Sequence, residues 1–319
     1  MWHGYPMPYT ILLDCDPGLD DALAILLAHG DPDIDLVAIT TVGGNVGIEN
    51  TTKNALELRE YLGFTKVPVA KGAGAPLVRS IKDASEVHGE TGIGNVSLPA
   101  ATLPASTEHA VDVIIDAIRQ APSSIHLVAT GPLTNIALAL EKDPGIARLV
   151  ASFTIMGGSF TRGNATPAAE FNIYADPEAA KIVFDADWQV TMVGLDLTLQ
   201  AQANTQIISR LEKLGSFADE LIVPLATFWI DPRDEGHPSF DGQAVHDVCA
   251  VAYVTRPDLF ASRPARVEVE TRGEFTEGMT VVDFDSPTPN ALVPVSLDVD
   301  GFWAYVETVY TRVAAARSV

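Results

Sequence analysis

Short apolar runs rich in β-branched residues alternate with helix-like segments along most of the chain. The short runs predict strands at YTILLDCD, DLVAITTVGG, VPVAKG, SIHLVATG, SFTIMGG and VTMVGLD. The segments between them predict helices at LDDALAILLAHG, IENTTKNALELREYLG, EHAVDVIIDAIRQAP, LTNIALALEKDP and DPEAAKIVFDAD. Because strands that alternate with helices build parallel sheets covered by helices, we expect an α/β fold with an open, mostly parallel sheet.

The alternation changes after about Leu197. Helices are predicted at TQIISRLEKL, FADELIVPLATFWI and HDVCAVAYV, with the polar loop DPRDEGHPSFDGQ before the last of them. Further strands are predicted at RVEVETRG, MTVVDF and ALVPVSLDV, so we expect the sheet to be mixed. Since no linker, repeat or low-complexity tract interrupts the chain, we expect a single domain over residues 1–319.

The first helix has clear limits in the sequence. LDDALAILLAHG carries two acids in its first turn and His29 in its last turn, which matches the polarity of the helix dipole. Gly30 follows as a predicted stop, since glycine favours the end of a helix.

Composition and charge limit the classes of function. The chain has 47% hydrophobic and 19% charged residues, which is typical of a globular protein. Its 42 acidic and 20 basic residues give a net charge of −22, a field that repels nucleic acids and anionic membranes. Two cysteines suit a reducing compartment, and the N-terminus lacks a signal-peptide pattern, so we expect a cytoplasmic location.

Polar residues follow several of the predicted strands. Asp16, Asn45, Thr130, Met156 and Asp196 lie at carboxyl ends of predicted parallel strands. In open α/β sheets ligands bind at this edge. We therefore expect these distant segments to meet at one site.

The stretch DCDPGLDD places four carboxylates around a Pro-Gly turn. If ILLDCD is a strand, Asp14 and Asp16 share one face, and Asp20 and Asp21 begin the next helix close by. Two carboxylates about 4 Å apart repel by roughly 4 kcal/mol at an effective dielectric near 20, whereas a helix N-terminus returns only about 0.3 to 1 kcal/mol per anion. Either some of the acids are protonated or a hard cation such as calcium or magnesium is bound. The alternative without a site is that the acids are solvated and only cap the start of the helix.

Several motifs together resemble the nucleoside hydrolases of the inosine-uridine type. The likeness runs in order through DCDPGLDDALA, TTVGGNV, VHGETGIGN, VATGPLTNIA, IMGGSFTRGNATPAAEFN, DPEAA, VTMVGLDLT and AVHDVCAVAY. The resemblance implies a Rossmann-like fold and hydrolysis of ribonucleosides to free base and ribose, in purine and pyrimidine salvage.

The resemblance also implies a metal site. In this family Ca²⁺ is held by the residues that match Asp16, Asp21 and Asp247, by the backbone carbonyl of Thr130, by ribose hydroxyls and by a water whose proton Asp16 takes. Asp14 matches a residue that supports the loop and does not bind the metal. Direct attack of the bound water, with inversion and without a covalent intermediate, is the expected chemistry.

Substrate contacts follow from the same likeness. The residues matching the sugar-binding positions are Asp20, Asn45, Asn164, Glu170 and Asn172. Met156 would line the pocket and His246 would face the leaving base. His88 and residues 229–240 are predicted walls around the base, and Arg233, His237 and Phe240 could stack on the base or protonate it. The resemblance is weakest in this loop, and a solvent-exposed flap is the alternative there. Glu170 near the 5′-hydroxyl would repel a 5′-phosphate, so we expect nucleosides to be preferred over nucleotides.

Two alternatives remain at this point. A haloacid-dehalogenase-like Mg²⁺ phosphatase also begins with Asp-x-Asp, but Gly18 stands where its signature has Thr or Val. A non-catalytic nucleoside-binding protein would keep the pocket without turnover. The preferred base stays open, and we expect a homodimer or homotetramer on the resemblance.

Overall fold

Within residues 8–228 and 241–317, which the computed structural model describes, the strands form a large sheet and a small sheet. The strands are β1 (Tyr9–Cys15), β2 (Ile34–Thr41), β3 (Val69–Lys71), β4 (Ile125–Ala129), β5 (Ser152–Met156), β6 (Val190–Val193), β7 (Gln202–Asn204), β8 (Gly242–Ala244), β9 (Phe260–Val269), β10 (Thr280–Asp283) and β11 (Ala291–Leu297).

The helices of the same residues are mostly the predicted ones. They are α1 (Leu19–Gly30), α2 (Ile48–Leu62), α3 (Ser85–His88), α4 (Ala110–Gln120), α5 (Thr134–Lys142), α6 (Phe171–Ala175), α7 (Pro177–Asp185), α8 (Leu195–Thr198), α9 (Thr205–Leu211), α10 (Val223–Thr227), α11 (His246–Thr255) and α12 (Val299–Arg317). The short elements α3, α6, α8, β7 and β8 were not predicted from the sequence pattern.

The large sheet has nine strands in the order β10-β9-β11-β6-β5-β4-β1-β2-β3. The strands from β3 across to β11 are parallel to one another, while β9 pairs antiparallel with both β11 and β10. The predicted mostly parallel, mixed sheet is thus confirmed. Strand order reverses at β1, which lies between β2 and β4, and such a reversal is where open α/β sheets bind ligands.

Helices cover both faces of the large sheet, as predicted. Along β1 the side chains of Leu13 and Cys15 belong to the core that also contains residues of α1, α11 and α12. Leu12 points to the opposite face, into the core that contains residues of α4, α5 and α7. By this alternation Cys15 lies on the face of the sheet opposite to its two acidic neighbours.

Helix α1 begins after Gly18 and runs through Gly30, and its C-cap is Asp31 in an extended conformation. The helix thus ends at the predicted stop, Gly30, and the residue that caps it is Asp31. A Cβ at Gly30 would lie 2.5 Å from Val313 and 2.8 Å from Val309. Glycine is required here because α12 packs directly against the end of α1.

In the part of the chain that the structure describes, no helix has the length and apolar character to cross a bilayer. The domain boundaries 1–319 and the cytoplasmic location stay predictions.

Candidate active site

A cavity of about 870 Å³ opens at the carboxyl edge of the large sheet. Asp196, which was also predicted at this edge, does not line the cavity and instead accepts from the Phe160 N–H. Of the other predicted site residues that the structure describes, all except Asp16 and Asp21 line it. These two are fully buried, and hydrogen bonds join them to Asn45 and Thr130, which line the cavity. The parallel sheet thus brings together residues from six separate segments, as the strand ends predicted.

Asp16 lies directly after β1 and is held by the loop that follows β2. The backbone N–H of Asn45 donates to Asp16 Oδ2 at 2.7 Å, and the Asn45 side chain donates to the Asp16 carbonyl at 3.1 Å. The other oxygen, Oδ1, is buried and has no hydrogen-bond partner among the described residues. A buried carboxylate oxygen without a partner is costly, so this atom is suited to receive a cation or a water proton.

Glycines let the neighbouring loops approach this carboxylate. A Cβ at Gly44 would lie 2.1 Å from Asp16 Oδ2, and a Cβ at Gly131 would lie 2.6 Å from Asp16 Oδ1. The segments GGN and GPLTN are therefore close backbone approaches, and they contact Asp16 from two sides.

Three carboxylates from α1 and α11 form a compact group beside Asp16. Oxygens of Asp20, Asp21 and Asp247 all lie within 4.8 Å of one another. Asp21 is further fixed by the Thr130 hydroxyl at 2.8 Å and by the Gly18 backbone N–H at 3.0 Å. The sequence assigned Asp20 to the sugar, whereas the geometry also places it within this group of possible metal ligands.

Burial raises the pKa of these carboxyl groups. The pKa of Asp21 rises to about 7 and that of Asp20 to about 6, chiefly because the charged forms lose water. The pKa values of Asp16 and Asp247 are raised for the same reason, and repulsion from neighbouring aspartates adds to it. A bound divalent cation would offset this repulsion, and the hard oxygen donors fit such an ion.

One side of the cavity is formed by α6 and the loop before it. Glu170 caps α6: its Oε1 accepts from the Asn172 N–H at 2.9 Å and its Oε2 accepts from the Gly158 N–H at 2.9 Å. The Asn172 side-chain amide donates to the Thr130 carbonyl at 2.8 Å and to the Met156 carbonyl at 3.1 Å. These bonds hold Asn172 with its Oδ1 available to accept from a hydroxyl.

His88 contacts the start of α1. Its Nδ1 accepts from the Leu19 backbone N–H at 3.1 Å, so the ring proton sits on Nε2. Burial lowers the pKa of His88 to about 3, and the proximity of His246 adds to this effect. A Cβ at Gly18 would lie 2.4 Å from Nδ1, which is why glycine precedes the helix here. His88 is thus a neutral ring with a fixed Nε2–H donor.

His246 is the first residue of α11 and lines the same cavity. Its Nδ1 lies 2.7 Å from the Thr198 hydroxyl. The nearby polar loop over residues 229–240, with Arg233, His237 and Phe240, lies outside the described residues. The predicted base wall there stays a prediction.

Sequence reasoning missed several supporting residues. Asn135 donates to Asp14 Oδ1 at 2.8 Å, and Thr40 donates to the same oxygen at 2.6 Å. Asn54 donates to the carbonyls of Pro17 and Thr91, which ties the Pro-Gly turn to a distant loop. A buried polar residue inside an apolar helix segment, such as Asn135 in LTNIALALEK, is the available signal.

Known proteins resemble this chain in sequence and in fold. The sequence profile of the family "Inosine-uridine preferring nucleoside hydrolase" matches residues 11–304. The chain is 46% identical over 312 residues to the inosine-uridine preferring nucleoside hydrolase of Leishmania major, covering 96% of this chain and 99% of that protein. It is 42% identical over 299 residues to the pyrimidine-specific ribonucleoside hydrolase RihA of Citrobacter koseri, covering 93% and 96%.

The solved structure of a purine-preferring ribonucleoside hydrolase from Gardnerella vaginalis superposes with a TM-score of 0.90 and 34% identity, covering 96% of this chain and 99% of that one. The chain therefore belongs to the inosine-uridine preferring nucleoside hydrolase family, whose enzymes hydrolyse N-glycosidic bonds. The relatives named here differ in the base they prefer, so family membership alone does not assign one.

Proposed function

We propose that this protein hydrolyses ribonucleosides to free base and ribose with the help of a bound calcium ion. The observation that carries the proposal is the cluster of buried carboxylates at the cavity. Asp20, Asp21 and Asp247 lie together, and the neighbouring Asp16 keeps an unpartnered oxygen. Asp16, Asp21, Asp247 and the Thr130 carbonyl would hold the ion. When bound, calcium would lower the pKa of a coordinated water and bind ribose hydroxyls.

Asp16 acts as the general base. Its Oδ2 is fixed by the Asn45 N–H, so Oδ1 is the oxygen that accepts the proton of the attacking water. Loss of the base from C1′ creates an oxocarbenium-like sugar, and the surrounding carboxylates stabilise its positive charge. The water attacks directly with inversion, and no covalent intermediate forms.

His246 lies on the opposite side of the C1′–N bond from the general base, Asp16. Electrons of the C1′–N bond pass to the leaving base, and His246 donates a proton to it. A positioned acid of this kind contributes about 10² to 10⁴ in rate. His88 and Met156 line the same cavity and contact the substrate.

Ribose is recognised by the polar residues that line the cavity beside the carboxylates. These are Asp20, Asn45, Asn164, Glu170 and Asn172. Burial raises the pKa of Glu170 to about 7, and in its ionised form this carboxyl excludes a 5′-phosphate, so nucleosides are the substrate class. Purine and pyrimidine salvage in the cytoplasm, by a homodimer or homotetramer, is the biological setting that we expect.

A panel of ribonucleosides, their 2′-deoxy analogues and a phosphatase substrate tests the proposal. We expect release of free base and ribose from ribonucleosides and no phosphate release. The rate of base release should fall strongly when the 2′-hydroxyl is removed. Tight nucleoside binding without base release would instead support a binding protein, and phosphate release would support the phosphatase alternative.

A further inference from the structure

Thr198 is fully buried at the end of α8, and its hydroxyl oxygen lies 2.7 Å from Nδ1 of His246. The two residues are 48 positions apart in the chain. A hydroxyl can accept a hydrogen bond from an imidazole N–H and can also donate one, so it is a suitable partner for a ring that exchanges protons.

The small sheet sets this contact. Strands β7 and β8 pair antiparallel, with Gln202 opposite Ala244, and the Val245 N–H donates to the Ala201 carbonyl at 3.1 Å. These bonds fasten the segment after Thr198 to the segment before His246. Because both segments are anchored by backbone bonds, the hydroxyl and the ring are held at a fixed distance.

We infer that Thr198 is a positioning residue for His246, an inference that rests on the proposed function. With Nδ1–H directed at the Thr198 oxygen, the opposite nitrogen, Nε2, faces the leaving base. In the proton transfer the Nε2–H bond breaks and an N–H bond forms on the base, which has already taken the electrons of the C1′–N bond. The ring is an imidazolium before the transfer and neutral after it, with its remaining proton on Nδ1 in the hydrogen bond to the Thr198 oxygen, and it regains an Nε2 proton from solvent.

Two substitutions at this position separate positioning from packing. Thr198→Val keeps the shape and removes the acceptor, whereas Thr198→Ser keeps the hydroxyl. We expect T198V to lower kcat on inosine or uridine by about tenfold to a hundredfold with KM within about threefold, since a misdirected acid loses much of its contribution. We expect T198S to recover most of that loss. On p-nitrophenyl riboside, whose leaving group needs no acid, T198V should stay within about threefold of the parent.

A matched control is Thr154→Val, which makes the same change at a buried threonine of β5. Calcium affinity, measured by titration calorimetry, should be equal in T198V and the parent, because the neighbouring Asp247 keeps its place. Long-range ¹H–¹⁵N spectra of the calcium-loaded protein should show a protonated Nδ1 at His246 that changes in T198V, a readout that does not require turnover.

The inference is overturned if T198V has normal kcat on nucleosides, if it slows both substrates equally, or if T198S is as impaired as T198V. An unchanged His246 spectrum in T198V also overturns it. By contrast, a parent protein that releases no base from any nucleoside contradicts the proposed function itself.

Discussion

The backbone N–H of Asn45 donates to Asp16 Oδ2 at 2.7 Å, and this bond leaves Oδ1 as the free oxygen of a fully buried carboxylate. Among the described residues no group partners that oxygen. The arrangement fixes which lone pairs of Asp16 are available to the cavity chemistry, because a carboxylate held at one oxygen presents the other in a constant direction.

Asp16→Asn should therefore remove the general base while keeping the fold, since the amide oxygen can still accept from the Asn45 N–H. We expect kcat on inosine to fall by about 10² to 10⁴. Asp14→Asn is the matched control. Asp14 accepts hydrogen bonds from Thr40 and Asn135 and supports the loop, so kcat of the D14N enzyme should fall by no more than about tenfold. Steady-state kinetics check this, and a D16N enzyme as active as the D14N enzyme would contradict the role of Asp16.

Stability of the chelated protein should depend on pH through the same cluster. The pKa of Asp14 and Asp21 in the folded protein is about 7, that of Asp20 is about 6, and the ordinary value is 3.8. The folded state thus binds more protons than the unfolded state from about pH 4 to 7. Stability from these groups is complete below the ordinary pKa and is lost as the pH rises through 6 to 7.

The melting temperature of the chelated protein should accordingly fall between pH 5 and pH 8. Calcium at saturation favours the ionised carboxylates, so the difference between loaded and chelated protein should widen with pH. Differential scanning fluorimetry at four pH values measures both curves. A gap that narrows as the pH rises would argue against a cation at this cluster.

His88 presents a fixed Nε2–H donor because its Nδ1 accepts from the Leu19 N–H. Purine N3 and pyrimidine O2 are equivalent acceptors on the same edge of the base, so one donor can serve both classes. His88→Phe should reduce kcat/KM on inosine by about tenfold, the typical cost of one hydrogen bond. On 3-deazainosine, which lacks that acceptor, the parent and the variant should be nearly equal, and an undiminished loss there would refute the contact.

A 5′-phosphate should not be tolerated near Glu170. This carboxyl is buried and accepts from the backbone N–H groups of Gly158, Asn172 and Ile173. Burial raises the pKa of this carboxyl to about 7, so at pH 8 it is mostly ionised and repels the phosphate, and there we expect inosine to exceed inosine monophosphate by at least about a hundredfold in kcat/KM. Parallel assays of the two compounds decide this, and comparable rates would remove Glu170 from its assigned place.

The general position of the site could be read from the sequence. Parallel strands end at one edge, so Asp16, Asn45 and Thr130 had to meet once β1, β2 and β4 were recognised. The acids and the Pro-Gly turn likewise marked the start of α1, where local geometry alone brings Asp20 and Asp21 close to the strand end.

The partners of these residues could not be read in the same way. Asn135 reaches Asp14 across 121 positions, and Thr198 reaches His246 through the three-residue strands β7 and β8. No local periodicity records which loops approach one another, and strands this short carry almost no alternation. The capping role of Glu170 was hidden as well, because the five-residue helix α6 was not predicted.

The most direct test of the whole account is the rate of base release from a ribonucleoside as free calcium is varied with a chelating buffer, with calcium occupancy measured on the same samples. We expect the rate to rise from background to a plateau in proportion to occupancy, whereas D16N should bind calcium more weakly and stay near the background rate at any occupancy that it reaches. Full base release at negligible calcium occupancy would contradict a site in which Asp16, Asp21 and Asp247 hold the ion.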